Sequence, residues 1–140
     1  VLFALRQMGH GDDLVLTDTN FPAEALARKS SFGRLLRMDA DITTAIRVLL
    51  TQYPLDTFVD DPVRGMQVVG KPNEILPIHK EIQAEIDQAE GAGKFKLQLI
   101  ERYAFYDATQ KTFAVIQTQE RRFYGNALLR MGVVPPDVKF

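Results

Sequence analysis

The apolar residues of this chain change their period repeatedly, and that alternation limits the folds available to it. Leu14-Val15-Leu16-Thr17 is a contiguous apolar run, the pattern of a buried strand. Before it, Val1, Leu5 and Met8 share one face of a short helix, with Gly9 at the position of a helix-ending glycine. After it, Asp18-Thr19-Asn20-Phe21-Pro22 reads as a turn, and Pro22 can open a short helix through Arg28. Asp41 can cap a helix striped by Ile42, Ala45, Ile46, Leu49 and Leu50, which Pro54 stops. Val63 to Val69 reads as a strand. Asn73 is expected to cap a long helix carrying Ile75, Ile78, Ile82, Ile86 and Ala89, with Pro77 delaying its start and Gly91-Ala92-Gly93 ending it. Phe95, Leu97 and Leu99 alternate as a half-buried strand does. Tyr103 to Thr109 reads as a short helix, Thr112 to Thr118 as a strand, and Phe123 to Arg130 as a last strand closed by Gly132 and Pro135-Pro136. Strands that alternate with helices pack in layers, so the expectation is an α/β fold with a mixed central sheet.

A length of 140 residues fits one domain spanning 1–140. The chain opens at Val1, already inside an apolar pattern, and a few further N-terminal residues are expected before it. Net charge is -1, from 17 basic and 18 acidic residues, which offers no global field to nucleic acid or an anionic membrane. There is no cysteine, so disulfides, thiolate nucleophiles and cysteine zinc sites are excluded. That fits a cytoplasmic protein. No apolar run approaches the ~18 residues of a membrane span, and no charged segment leads into an apolar one as in a signal peptide.

Several motifs fail on inspection. Gly65 to Lys71 spells a near-match to the phosphate-binding loop, but Pro72 stands where Ser or Thr should bind the metal. Pro72 also lacks an N–H for a phosphate, and the loop interior is strand-like. Lys94-Phe95-Lys96 and Arg121-Arg122 are too small for a nucleic-acid patch and read as solvated faces. His79 has Gln83 one turn on and reads as an exposed helical histidine.

His10 is different, because Gly9 and Gly11 flank it in a helix-to-strand loop. Glycine there gives the backbone freedom and leaves a ligand room to approach. Histidine can hydrogen-bond a substrate and titrates near neutrality. Asp18 lies at the far end of the predicted strand. Four or five strand residues span ~17 Å, so His10 and Asp18 meet only if the loop folds back or another chain contributes. Asp12 and Asp13 allow a metal reading of the same loop, opposed by a chain with two histidines in all. Otherwise they solvate the strand entry. Tyr124-Gly125-Asn126 interrupts the last predicted strand, where glycine is costly unless something approaches closely. Strand alternation would put Tyr124 and Asn126 on one face, a phenol and an amide suited to sugar hydroxyls; a core tyrosine and a bulge asparagine are the plain alternative.

Taken in order, Met8-Gly9-His10-Gly11-Asp12, Asp18, Asn20-Phe21-Pro22, Arg102-Tyr103-Ala104-Phe105-Tyr106, Phe113-Ala114-Val115 and Tyr124-Gly125-Asn126 resemble the ribose pyranase / L-fucose mutarotase family, also called RbsD/FucU. Each motif alone is weak, and the ordered set is specific and spans the chain. The Gly-His-Gly-Asp form, the Phe-Pro turn, Ala-Phe-Tyr and Tyr-Gly-Asn look like the fucose branch, as does Pro54-Leu55-Asp56-Thr57-Phe58-Val59. Ala40 departs from a common Gly and Asp107 from a common Glu, which bears on the sugar more than on the reaction.

The resemblance implies an α/β/α fold and a cofactor-free, metal-free isomerase interconverting sugar anomers, with L-fucose the expected substrate. It implies homo-oligomers, from dimers to ring-like decamers. It assigns His10 as the catalytic histidine, and Asp18, Arg102, Tyr124, Gly125 and Asn126 as sugar-binding. Tyr124 is a candidate second proton carrier. Arg102 has a salt bridge with Glu101 or Asp107 as its structural alternative. Phe105 and Tyr106 are candidates to wall the methyl group of a deoxysugar, with core packing the alternative for Phe105. A pyranase converting pyranose to furanose forms, a non-catalytic sugar-binding module and a metal-dependent enzyme are the competing functions.

Overall fold

The computed structural model describes residues 1–138. Helices and strands alternate: α1 (Leu2–Gln7), β1 (Asp13–Thr17), α2 (Ala23–Ala27), β2 (Leu36–Arg37), α3 (Ile42–Leu49), β3 (Val63–Met66), α4 (Pro77–Glu90), β4 (Gln98–Ile100), α5 (Arg102–Gln110), β5 (Ala114–Gln117) and β6 (Ala127–Arg130). The strands form one mixed sheet in the order β2-β5-β1-β6-β3-β4. β5 runs parallel to β1 and β2, and β3 to β4. β6 lies antiparallel between β1 and β3.

Strand alternation sorts the core into two layers. Leu14, Leu16, Ala114, Ile116, Ala127 and Leu129 meet α3 and α4, which contribute Ile42, Ile46, Leu49, Ile78, Ile82 and Ile86. Val15, Val115 and Leu128 face the other way, against Leu26 of α2 and Phe105 of α5. The expected layered α/β/α arrangement is present, and the apolar runs of β1, β5 and β6 are contiguous because helices cover both faces. Asp41 caps α3 as expected, accepting from the Thr44 N–H at 2.8 Å. Among the described residues, no helix is long and apolar enough to cross a membrane.

Other expectations change. Gly9 has no left-handed backbone; Gly11, at φ +87°, turns the loop into β1. Asn73 does not cap α4. Leu76 precedes a proline and is therefore extended (ψ 160°), so the helix begins at Pro77. The strand expected at Val63 to Val69 stops at Met66 and turns at Gly70, φ +75°. The near phosphate-loop is thus strand and hairpin, and Gly65 is there because a Cβ would meet Leu99 Cδ2 at 2.9 Å. Phe95 and Leu97 are buried but outside the ladder, since the Gln83 side chain takes the Phe95 carbonyl at 2.8 Å and the Leu97 N–H at 2.7 Å. The two-residue β2 has no periodicity to announce it. Arg121 and Arg122 are exposed, as a solvated face would be, and the Arg122 guanidinium also holds Glu120 at 3.0 Å and Glu81 at 2.7 Å.

His79 is the largest reversal. It is buried, because at the third position of α4 its ring folds back over the helix start. Nδ1 accepts from the Leu76 N–H at 3.1 Å, and Nε2 donates to the Met66 carbonyl at 3.2 Å. The Nδ1 bond requires the neutral ring, and burial pushes its pKa below the ordinary 6.5, outweighing the Met66 bond, which acts the other way. The unfolded chain therefore binds a proton that the folded protein refuses, so His79 favours folding above about pH 6.5 and loses that contribution as pH falls. His79→Gln keeps an acceptor for Leu76 without the titration. Its melting temperature should fall less than wild type's between about pH 7.5 and about pH 5.5, measured by thermal denaturation.

Candidate active site

At one end of the sheet, four segments supply a cavity of about 220 Å³. The turn after β1 contributes Asp18, Asn20 and Phe21. β3 and its hairpin contribute Met66 and Val69. α5 and the loop before β6 contribute Arg102, Tyr106, Phe123, Tyr124 and Asn126. It lies outside the carboxyl ends of β1 and β3, where open α/β sheets place their ligands.

Asp18 is almost fully buried. Its Oδ1 accepts from the Asn20 and Phe21 N–H groups, each at 2.9 Å, which shapes the turn. Asn126 closes a reciprocal pair: its Oδ1 accepts from the Asp18 N–H at 2.8 Å, and its Nδ2 donates to Asp18 Oδ2 at 3.2 Å. Burial raises the Asp18 pKa and outweighs these hydrogen bonds, which act the other way. Asp18 thus organises the loops as well as facing the cavity.

Tyr124-Gly125-Asn126 is not in a strand. β6 begins at Ala127, and Tyr124 has a left-handed φ of 64° that costs a non-glycine residue free energy. The Tyr124 hydroxyl accepts from the Val69 N–H at 3.1 Å, tying this loop to the β3 hairpin. Gly125 is required by close approach: a Cβ would lie 2.5 Å from Glu120 Cγ and 3.3 Å from the Arg122 carbonyl. Tyr124 and Asn126 both reach the cavity, but by turn geometry, because alternation does not apply here.

Glu101 caps α5, accepting from Tyr103 and Ala104 N–H groups at 2.8 and 3.1 Å. That leaves Arg102 at the first helical position without it. Among the described residues Arg102 has no carboxylate partner within 4.0 Å, so neither expected salt bridge forms. Its guanidinium lies 4.6 Å from the Tyr103 ring centre, Nη2 donates to the Tyr103 hydroxyl at 2.9 Å, and the buried Nε has no partner. Phe105 is core, not cavity wall, because α5 turns it onto Val15 and Leu128. Tyr106 does line the cavity, edge-on to Phe21.

His10 is not in this cavity. It precedes β1 and Asp18 follows β1, so the strand separates them, and the loop does not fold back. His10 Nε2 lies 3.1 Å from Asp56 Oδ1, and its ring centre 5.1 Å from that of Phe58. Asp56 was not singled out by the residues alone; 46 positions away, it carried no spacing signal. Asp12 instead closes the turn, Oδ2 accepting from the Gly9 N–H at 2.8 Å, and Asp13 pairs with Arg130 at 2.8 Å and Arg64 at 3.3 Å. Those carboxylates are therefore committed elsewhere. Among the described residues, no three His, Asp or Glu side chains cluster as a metal site would need.

The profile of the RbsD / FucU transport protein family matches residues 1–134. Fucose mutarotase of Danio rerio is 36% identical over 143 residues, covering 98% of this chain and 89% of that one. The crystal structure of protein Atu2016, a candidate sugar binding protein, superposes with a TM-score of 0.91 at 45% identity, covering 96% of this chain and 89% of the other. The fucose mutarotase of Streptococcus pneumoniae in complex with L-fucose superposes with a TM-score of 0.83 at 32% identity, covering 96% and 91%.

Gly125→Ala should cost about 1–3 kcal/mol, because the Glu120 side chain is held by Arg122 and cannot give way. Urea denaturation measures it, and wild-type stability would contradict the close approach.

Proposed function

Because the chain belongs to the RbsD / FucU transport protein family, we propose that it is a mutarotase acting on L-fucose or a closely related sugar. The observation that carries this is the cavity itself: Asp18, Arg102, Tyr124 and Asn126 converge beside the apolar surfaces of Met66, Phe123 and Tyr106. Polar groups opposite an apolar wall suit a sugar that carries both hydroxyls and a methyl group. Similarity to fucose mutarotases, one of them solved with L-fucose, supports the same reading.

A cyclic sugar is a hemiacetal. Its anomers exchange when the ring opens to the aldehyde, rotates and recloses. Opening needs a proton delivered to the ring oxygen and one withdrawn from the anomeric hydroxyl, a task for positioned acids and bases. In this proposal His10 carries one of these protons and returns it on closure. Tyr124 is the second carrier: Val69 already donates to its oxygen, so its own proton is available to the sugar. Arg102, which no carboxylate among the described residues neutralises, anchors hydroxyls and stabilises negative character on the departing oxygen. Asp18 accepts from a hydroxyl, and Asn126 holds Asp18 in place.

His10 and the cavity lie at opposite ends of β1, so the site is completed by a second copy. Phe58 beside His10 is 73% exposed, Phe123 at the cavity is 71% exposed, and Tyr103, which holds the Arg102 guanidinium, is 62% exposed. Apolar surface at both poles suits a head-to-tail contact, which makes a ring where the rotation between copies closes. A cytoplasmic setting belongs to the same proposal and rests on the cysteine-free sequence.

His10→Ala should keep the fold by circular dichroism and lose ~10²–10⁴-fold in anomer exchange, read by NMR exchange spectroscopy on L-fucose and D-ribose. Acceleration confined to ribose would favour the pyranase reading, and binding without acceleration a sugar-binding module. Sedimentation should give a multiple of the 15.8 kDa chain mass at micromolar concentration, and a monomer would remove the shared site.

A further inference from the structure

We propose that Asp56 is the positioning residue of His10, fixing its proton on Nε2 so that Nδ1 is the nitrogen that exchanges protons with the sugar. This rests on the mutarotase reading for the sugar and on geometry alone for the pair.

The Asp56 side chain is 3% exposed and the His10 side chain 46%. A buried carboxylate behind an open imidazole is placed to act through the ring. Asp56 Oδ1 lies 3.1 Å from His10 Nε2 and also accepts from the Phe58 N–H at 3.0 Å. An ionised carboxylate only accepts, so Nε2 must carry the hydrogen. The neutral ring then presents a lone pair at Nδ1. That atom takes the proton of the anomeric hydroxyl as the ring opens, and the imidazolium it becomes faces the Asp56 charge. On reclosure Nδ1 gives the proton back, and His10 and Asp56 return to their starting states.

The pair is also held by a common support. On one side, Gly11 N–H donates to the Met131 carbonyl at 2.8 Å and Met131 N–H to the Asp12 carbonyl at 2.9 Å. On the other, Asp56 N–H donates to the Arg130 carbonyl at 3.0 Å and Gly132 N–H to the Pro54 carbonyl at 2.8 Å. A Cβ at Gly132 would lie 2.5 Å from the Leu55 carbonyl, so the contact needs a glycine. Both loops therefore hang from residues 130–132. Two segments 46 positions apart are held in register by one backbone stretch, the precision a proton-transfer pair requires.

The test has two arms. Nitrogen-15 NMR of the wild-type imidazole should show His10 protonated at Nε2 and bare at Nδ1 at a pH where the ring is neutral. Asp56→Ala should lose that preference and lower kcat for L-fucose exchange by ~10²-fold, with KM within about threefold. Asp56→Asn keeps an oxygen for Phe58 while removing the charge and turning the second oxygen into an NH₂ donor, and its kcat should fall between those of wild type and Asp56→Ala. A wild-type His10 protonated at Nδ1 overturns the proposal, as does wild-type kcat in both Asp56 variants. The tautomer is read on unmodified protein, so it decides the pairing even if a variant misfolds. Undiminished exchange in His10→Ala would instead strike the mutarotase roles and leave the tautomer result standing.

Discussion

The insertion of β6 between β1 and β3 is the constraint on which the rest of the molecule depends. Without it the sheet would be two pieces, β2-β5-β1 and β3-β4, with no hydrogen bonds between them. Antiparallel pairing on both sides joins them, and it fully buries Ala127, Leu128 and Leu129 in two core layers. The chemistry hangs from its two ends. The loop entering β6 delivers Tyr124 and Asn126 to the cavity. The residues leaving it, Arg130 to Gly132, pin the loops of His10 and Asp56. One strand of four residues thus ties both stations of the proposed reaction to the same rigid element.

Charge is distributed by the same logic. Asp13 is matched by Arg130 and Arg64, and Glu120 by Arg122, whose pKa rises with that pairing. Removing one partner of such a pair would leave a charge with its desolvation cost uncompensated. At the cavity the pattern changes. Asp18 is bound by neutral donors that do not fully offset its burial, and Arg102 leans on an aromatic ring instead of a carboxylate. Groups left unneutralised in this way hold interaction capacity for a ligand.

Much of this was legible in the residues. The contiguous runs of β1, β5 and β6 and the helical stripe of α3 follow directly from periodicity, because both faces of the sheet are covered. The cap at Asp41 is local chemistry and follows from the sequence as directly. The structure departs from the local pattern where one local rule meets another. Pro77 outranks Asn73 as the start of α4, since the residue before proline is disfavoured in the helical region and Leu76 is extended. Gln83 took the backbone partners that would have extended β4 backwards. His79 looked exposed because helical spacing cannot show a ring folded back over its own cap. Gly125 does answer a close approach, but in a loop before β6 and not within a strand.

The sequence by itself determined the layered α/β class, the order of most elements and, through the ordered motifs, the family; these rest on local periodicity and on residue identities. Only the tertiary structure decided which groups meet. Asp18 meets Asn126 across 108 positions, and His10 meets Asp56 across 46, neither with any spacing rule to foretell it. His10 and Asp18, close in sequence, end up apart because an extended strand between them sends its ends in opposite directions. Contacts of that kind are fixed by strand order, and strand order is settled by packing the whole core at once.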